Sequence, residues 1–443
     1  MKRVGFIVLL VILAKLDVLA QDKQWTLREC EDWAVAHNIT VKQSEVAREK
    51  QTYALSTARN SRLPNLSGTL NEGLSFGRGL TAENIYEKTN TSNTSLQLQT
   101  AVPLFTGFEI PENIKLNRLN LEALTEDLEK AKNDIRMQVA KAYVQILYNQ
   151  EIAAVAHRQI AIDSMQVVRL TAFVNNGKAS VSELSQQAAT LANSRLTATQ
   201  ADNTLRMSIL TLTQLLELPT PEGFSIVTPN LESLDALEEV RLLTPDDIYA
   251  EAITFKPEIR SEQLRLQGRE HSINVAKAGY YPKLNFTAGL GSNYYTTSSR
   301  DSDPFGRQLK NNFSQSVNFS LSIPIFSRFQ VRNNVRSARA DRLNQELKLE
   351  NAKKTLYKDI QQVYYNALNA VSKEESSREA LVSSEDAFKL MQAKYENGKA
   401  NITEFNEAKN KYLKAESDLV QARYERLYQW ALIDFYRGRD LDF

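Results

Sequence analysis

Proline and glycine are the residues a helix interior tolerates least, and this chain of 443 residues keeps both out of two very long stretches. None of its 11 prolines lies between Pro111 and Pro219 or follows Pro324, and glycine occurs there only at 177, 398 and 438. Such stretches predict long helices. The first two of these glycines sit in near-copies of one motif, Asn176-Gly177-Lys178-Ala179-Ser180-Val181-Ser182-Glu183-Leu184 and Asn397-Gly398-Lys399-Ala400-Asn401-Ile402-Thr403-Glu404-Phe405. Their spacing of 221 residues recurs between Pro103 in Val102-Pro103-Leu104-Phe105 and Pro324 in Ile323-Pro324-Ile325-Phe326, and Pro64 and Pro282 stand 218 apart. A repeat this long is a duplicated domain, not a solenoid unit.

At the N-terminus Lys2 and Arg3 precede an apolar run from Val4 to Ala14, and Val18-Leu19-Ala20 before Gln21 has the character of a cleavage site. Residues 1–20 therefore read as a secretory signal. The run is shorter than the roughly 20 apolar residues a spanning helix needs, and no later stretch reaches that length. Any membrane span is expected to be β. The single cysteine, Cys30, lies beyond the cleavage site in a helix-like segment. It reads as a buried thiol and cannot form a disulfide within one chain.

The 54 basic residues are balanced by 53 acidic ones, which gives no electrostatic case for nucleic acid. Their distribution is more informative. Charge and alanine crowd the long helical stretches, whereas Asn, Ser, Thr and Gly crowd residues 65–103 and 284–325. In the first region Leu66, Gly68, Leu70, Glu72, Leu74 and Phe76 share one parity, followed by Leu96, Leu98, Thr100, Val102 and Leu104 on a second segment. The second region has Leu284, Phe286, Ala288 and Leu290, then Val317, Phe319, Leu321, Ile323 and Ile325. Alternation over about ten residues is the pattern of a tilted membrane strand. Phe76, Tyr86, Tyr294, Tyr295 and Phe305 gather at the outer ends as an aromatic girdle would. Each repeat thus supplies one hairpin, with polar loops at 77–92 and 296–314. Four strands cannot close a barrel, whose smallest form has about eight, so the barrel is expected to be shared between chains.

The first long helix is expected from about Phe108 to Val174, roughly 100 Å at 1.5 Å per residue. Its seam runs through Leu121, Leu124, Leu128, Ala131, Ile135, Val139, Ala142 and Ile146, and a second through Leu349, Ala352, Leu356, Ile360, Val363, Ala367 and Ala370. The last helix has Phe405, Ala408, Tyr412, Ala415, Leu419 and Ala422. Steps of three and four are coiled-coil spacing. Gly177 and Gly398 then fall where a helix turns back, as left-handed caps.

Taken in order, the duplicated helix, β-hairpin, helix plan, Pro64 and Pro282 before the first strands, Val-Pro-Leu-Phe and Ile-Pro-Ile-Phe at the ends of the second, Phe255-Lys256-Pro257-Glu258-Ile259 and the paired glycine turns resemble the TolC-like outer membrane efflux proteins over essentially the whole mature chain. Ser75-Phe76-Gly77-Arg78 in the first external loop is similar to one branch of that family. The resemblance implies a mostly α fold with a membrane β part, in which a homotrimer shares a 12-stranded β-barrel continuous with a coiled-coil α-barrel crossing the periplasm. It implies a channel in the bacterial outer membrane, contacting outer-membrane lipid and docking to a periplasmic adaptor (membrane fusion) protein and an inner-membrane RND or ABC pump. It places Gly177, Lys178, Gly398 and Lys399 at the adaptor-docking tips. It puts Glu404 and Glu407 at the periplasmic entrance as cation-favouring acidic rings. The family latches that entrance with an arginine on the second hairpin and an aspartate on the first, where this chain has Ala400 and Glu183.

The expected organisation is a signal at 1–20, a first repeat at 21–225 (β-hairpin about 65–105, helical tip about 174–183), a linker at 226–244, and a second repeat at 245–443 (β-hairpin about 284–326, tip about 395–404). Nothing suggests an enzyme. The three histidines, His37, His157 and His271, lack metal or triad spacing, there is no phosphate loop, and no cofactor, metal or catalytic residue is expected. Two readings stand: an exit duct for efflux or type I secretion, and a periplasmic coiled-coil adaptor or scaffold without a pore. Hairpins with one apolar face and aromatic ends favour the duct.

Overall fold

The computed structural model describes residues 24–80, 84–229, 243–298 and 300–441. The expected signal and most of the expected linker lie outside the described residues. In chain order the elements are β1 (Gln24–Trp25), α1 (Leu27–His37), α2 (Ile39–Asn60), β2 (Asn65–Ser75), β3 (Arg78–Leu80), β4 (Tyr86–Lys88), β5 (Thr91–Phe105), α3 (Glu109–Asn175), α4 (Val181–Leu215) and β6 (Ser225–Ile226). There follow α5 (Pro245–Ala252), α6 (Pro257–Lys277), β7 (Lys283–Thr297), α7 (Phe305–Asn311), β8 (Ser314–Ser322), α8 (Gln330–Glu396) and α9 (Ile402–Tyr436). The duplication is exact in length where it is longest: α3 and α8 each have 67 residues, α4 and α9 each 35.

Two compact units arise from this chain, one from the segments up to Val46, Glu126–Arg260 and Asn351 onward, the other from Ala47–Thr125 and Ser261–Glu350. In the first, apolar side chains of several helices converge on a core that includes Leu27, Cys30, Ala34, Val139, Leu147, Leu212, Tyr424 and Leu432. Cys30 is fully buried there, as its surroundings in the sequence predict. A Thr26–Glu29 capping box starts α1. Trp33 Nε1 donates to the Leu216 carbonyl at 3.0 Å. The two-residue strands β1 and β6 pair in parallel, so Ile226 belongs to this core although the sequence assigns it to a linker.

The buried positions of α3 and α8 follow the expected seams at Leu128, Ile135, Val139, Ala142 and Ile146, and at Leu349, Leu356, Ile360, Ala367 and Ala370. On α9 the stripe differs. Lys409 and Leu413 are buried between Phe405 and Leu419, while Ala408 and Tyr412 are only partly so.

The second unit holds an antiparallel sheet of order β2-β5-β7-β8. Both expected hairpins are present, and β5 pairs with β7, which joins the two repeats. Leu66, Leu70, Leu74, Val317, Phe319 and Leu321 are all exposed. Glu72 shares their parity and accepts from Ser92 Oγ at 2.5 Å and from Thr94 Oγ1. Phe286 packs on Phe319 with centroids 5.1 Å apart. The last strand stops at Ser322, short of the expected Ile325, because its partner β7 begins at Lys283, which pairs with Ser322.

The loops are not bare. Residues 78–80 and 86–88 pair as the β3–β4 ribbon, and α7 occupies the second loop, where Gln308 exchanges two hydrogen bonds of 2.9 Å with the backbone of Tyr295. The strand-to-helix turns also repeat. Gly107 and Phe108 have positive φ, as do Arg328 and Phe329 at the 221-residue counterparts. Gly107 is needed for space too: a Cβ there would lie 2.7 Å from the Ala278 carbonyl oxygen. Phe105 meets Phe108 edge-on at 5.3 Å, and Phe326 meets Phe329 likewise at 5.5 Å.

Candidate functional site

Each helical hairpin turns through the same two capping devices. At the first, Lys178 N donates to the Phe173 carbonyl at 2.8 Å and Gly177 N to the Val174 carbonyl at 3.0 Å. At the second, Lys399 N donates to Lys394 O at 2.8 Å and Gly398 N to Tyr395 O at 3.1 Å. This is the Schellman pattern, which requires a left-handed residue before the final donor. Gly177 and Gly398 both have φ +68°. The lysines thus contribute backbone to the cap and leave exposed side chains.

Two residues later each chain re-enters a helix through a capping box. Ser180 N donates to Glu183 Oε2 at 3.1 Å, and Glu183 N returns a bond to Ser180 Oγ at 3.2 Å. Asn401 and Glu404 make the same exchange. Glu183 and Glu404 therefore each have a carboxylate oxygen committed to a helix start, a role the sequence reading did not give them. Glu404 remains exposed. Glu407, one turn on, is exposed and pairs with Lys411 Nζ at 2.8 Å, which holds its carboxyl below the usual range. Ala400 is half-buried and offers no polar group.

Around the turns, Leu170, Phe388, Ile402 and Phe405 form a small apolar cluster flanked by Tyr395 and Tyr412. Phe405 stacks on Tyr395 at 5.0 Å, and the Arg169 guanidinium lies 5.8 Å from the Tyr395 ring and 3.5 Å from a Glu396 carboxylate oxygen. Arg169 of α3 thus reaches the second hairpin. Farther from the turns, Asp163 and Lys409 form an ion pair with both side chains at 0% exposure. Sequence reasoning missed this pair, since Asp163 and Lys409 lie on helices that carry many charged residues and nothing local marks these two for burial.

The histidines make separate contacts: His157 with Asp202 at 3.0 Å, His271 with Glu112 at 2.7 Å, and His37 with its own helix. Among the described residues no group of three or more His, Cys, Asp or Glu could hold a metal. No described helix is long and apolar enough to cross a membrane.

Residues 32–217 and 248–439 match the sequence model for the outer membrane efflux protein, one block on each repeat. The chain belongs to the outer membrane efflux protein family. Its place is accordingly the outer membrane. Among its curated relatives, OprJ of Pseudomonas aeruginosa is 28% identical over 205 residues, a match covering 46% of this chain and 40% of OprJ. TolC of Escherichia coli K12 is 22% identical over 401 residues, covering 88% of this chain and 77% of TolC. The crystal structure of a membrane protein from Pseudomonas aeruginosa superposes with a TM-score of 0.78 at 19% identity, over 95% of this chain and 92% of that one. At that identity the likeness establishes the shared fold, a TolC-like channel fold rich in helix.

Proposed function

We propose that this outer membrane efflux protein works as a passive, gated exit duct, three copies of which share one 12-stranded barrel and continue as a helical tunnel through the periplasm. The observation that carries this reading is the four-stranded sheet. Its side chains Leu66, Leu70, Leu74, Val317, Phe319 and Leu321 are exposed, and among the described residues its outer strands β2 and β8 each pair on one side only. Unpaired edges demand partners, and in a bilayer every strand must be paired, so closure by further copies satisfies both.

The tips would dock a periplasmic adaptor through Gly177, Lys178, Gly398 and Lys399, with energy supplied by an inner-membrane RND or ABC pump. Exposed lysines beside rigid glycine turns suit such docking because the backbone there is fixed before binding. Glu404 and Glu407, repeated around a three-fold axis, would line the entrance and favour cations, since like charges in a narrow pore are poorly screened. Glu183 and Ala400 flank that entrance.

Reconstitution into a planar bilayer tests the duct. Discrete conductance steps, with the protein migrating as a trimer in detergent, are expected. Release of the native protein from cells by osmotic shock, without detergent, would sink the reading. Photo-cross-linking from position 399 in cells tests the docking: capture of a periplasmic adaptor is expected, and capture of nothing would reduce the turns to caps.

A further inference from the structure

A fully buried ion pair is a costly feature, because both charges leave water and only their mutual contact and added hydrogen bonds offset the loss. Asp163 is satisfied on both carboxylate oxygens. Its Oδ1 accepts from Lys409 Nζ and from Gln187 Nε2 at 3.2 Å, and its Oδ2 accepts from Ser194 Oγ at 2.5 Å. Asn406 Nδ2 donates to Gln187 Oε1 at 3.1 Å and completes the group. These side chains come from α3, α4 and α9, so the network ties one helical hairpin to the other.

The duplication sets this network apart. Glycine turns and capping boxes recur at 221 residues, yet the counterparts of Asp163 and Lys409 are Ser384 and Ala188, and those of Gln187 and Ser194 are Ala408 and Ala415. The network occurs in one copy only. It therefore tells the two hairpins apart and allows them one register, which is the best-attested use of a buried polar contact.

Contacts on its two sides differ in extent. Away from the turns, beyond the part-exposed Arg158–Glu416 pair at 2.6 Å, α3, α4 and α9 share the large core that holds Leu147, Leu212, Tyr424 and Leu427. Toward the turns, the hairpins meet through the small apolar cluster around Phe405 and through the partly exposed Arg169–Glu396 pair. Apolar contact is non-directional and an exposed pair is weak, so this end can shift at little cost.

We propose that the Asp163–Lys409 network is the fulcrum of the hairpin pair, a clamp that keeps its register while the chain beyond it moves. This role rests on the gated duct proposed above. Asp163 precedes Gly177 by 14 residues and Lys409 follows Gly398 by 11, so the moving arms are ~17–21 Å long at the helical rise.

The test uses the full-length protein carrying Cys30→Ala, with cysteine pairs joined by a short bifunctional thiol reagent. Joining Arg158→Cys to Glu416→Cys is expected to leave export within about twofold of the unjoined protein, whereas joining Arg169→Cys to Glu396→Cys is expected to lower it about tenfold or more. Equal loss from both bridges, or no loss from the second, overturns the fulcrum. Hydrogen exchange on the purified protein reads the clamp without reference to export. Amides on the tip side are expected to exchange about tenfold faster than those beyond the clamp, and Asp163→Asn with Lys409→Met is expected to carry fast exchange past Arg158. Uniform exchange along the hairpins, or no change in that double variant, overturns the proposal. A parent that fails to export while showing the clamp boundary would remove the duct and leave the clamp standing.

Discussion

Asn401 and Glu404 exchange two hydrogen bonds, Asn401 N to Glu404 Oε2 and Glu404 N to Asn401 Oδ1, each 2.9 Å. The same carboxylate that would charge the channel entrance therefore also starts α9. Glu404→Gln separates the two roles, because the amide oxygen can still accept from Asn401 N while the charge is gone. Stability is expected to change by less than about 0.5 kcal/mol, whereas Glu404→Ala is expected to lose about 1 kcal/mol with the cap. Both variants, and Glu407→Gln, are expected to lower cation preference. Reversal potentials under a salt gradient measure the preference, and thermal unfolding measures the cap.

Gly177 and Gly398 have open space where a Cβ would be built, so a substituent meets no neighbour and any cost is that of the backbone. Alanine at either position, held at φ +68°, is expected to cost about 1–2 kcal/mol. Asparagine, which tolerates the left-handed region, should cost less. Denaturant titration of the three proteins checks the order Gly, Asn, Ala; equal stability would remove the cap.

Glu112 lies in the first turn of α3 and gathers Lys115 at 2.8 Å, His271 at 2.7 Å and Asn274 at 3.0 Å. Burial opposes its ionisation, but those hydrogen bonds outweigh it and hold the carboxyl down at about 2. A carboxyl depressed on folding stabilises the protein above its unfolded pKa, and that stabilisation is lost as pH falls from about 4.5 toward about 2. Glu112→Gln is expected to be less stable than the parent at pH 7 and to flatten this part of the acid profile. Unfolding midpoints of parent and variant across that window decide it.

How much of this was legible beforehand depended on the type of signal. Missing prolines and glycines gave the long helices, whose observed ends fall within a residue or two of those expected from Phe108, Asn176 and Asn397. Alternation gave both hairpins, because a strand with one apolar face writes its period into the chain. The β1–β6 pair was hidden, since two-residue strands carry no period and their partners lie about 200 residues apart. At the turns, S/N-x-x-E is the local signature of a capping box at Ser180 and Asn401. A seam of apolar residues takes in Ala408 and leaves out Lys409. Its burial depends on Asp163, 246 residues away, and no local window contains both.

On β2, Leu70 shares its face with Leu66 and Leu74, while Asn71 points to the opposite face. If the leucine face meets lipid, Leu70→Arg is expected to cost about 2–4 kcal/mol near the bilayer midplane and to deplete the protein from the outer membrane. Asn71→Arg is expected to be tolerated. Quantifying each variant in membrane fractions tests the assignment; equal depletion would contradict it.

The central claim is that the open edges of β2 and β8 close against neighbouring copies. In one chain these strands sit at opposite edges of the sheet, three strand spacings of about 4.8 Å apart, beyond the reach of a disulfide. The most direct measurement is therefore a scan of cysteine pairs, one on β2 and one on β8 in a Cys30→Ala background, oxidised in intact cells. Covalent dimers and closed trimers, appearing at a subset of β2–β8 registers and abolished by reduction, are the expected result. Monomer at every register, with the protein present in the outer membrane, would contradict the shared barrel.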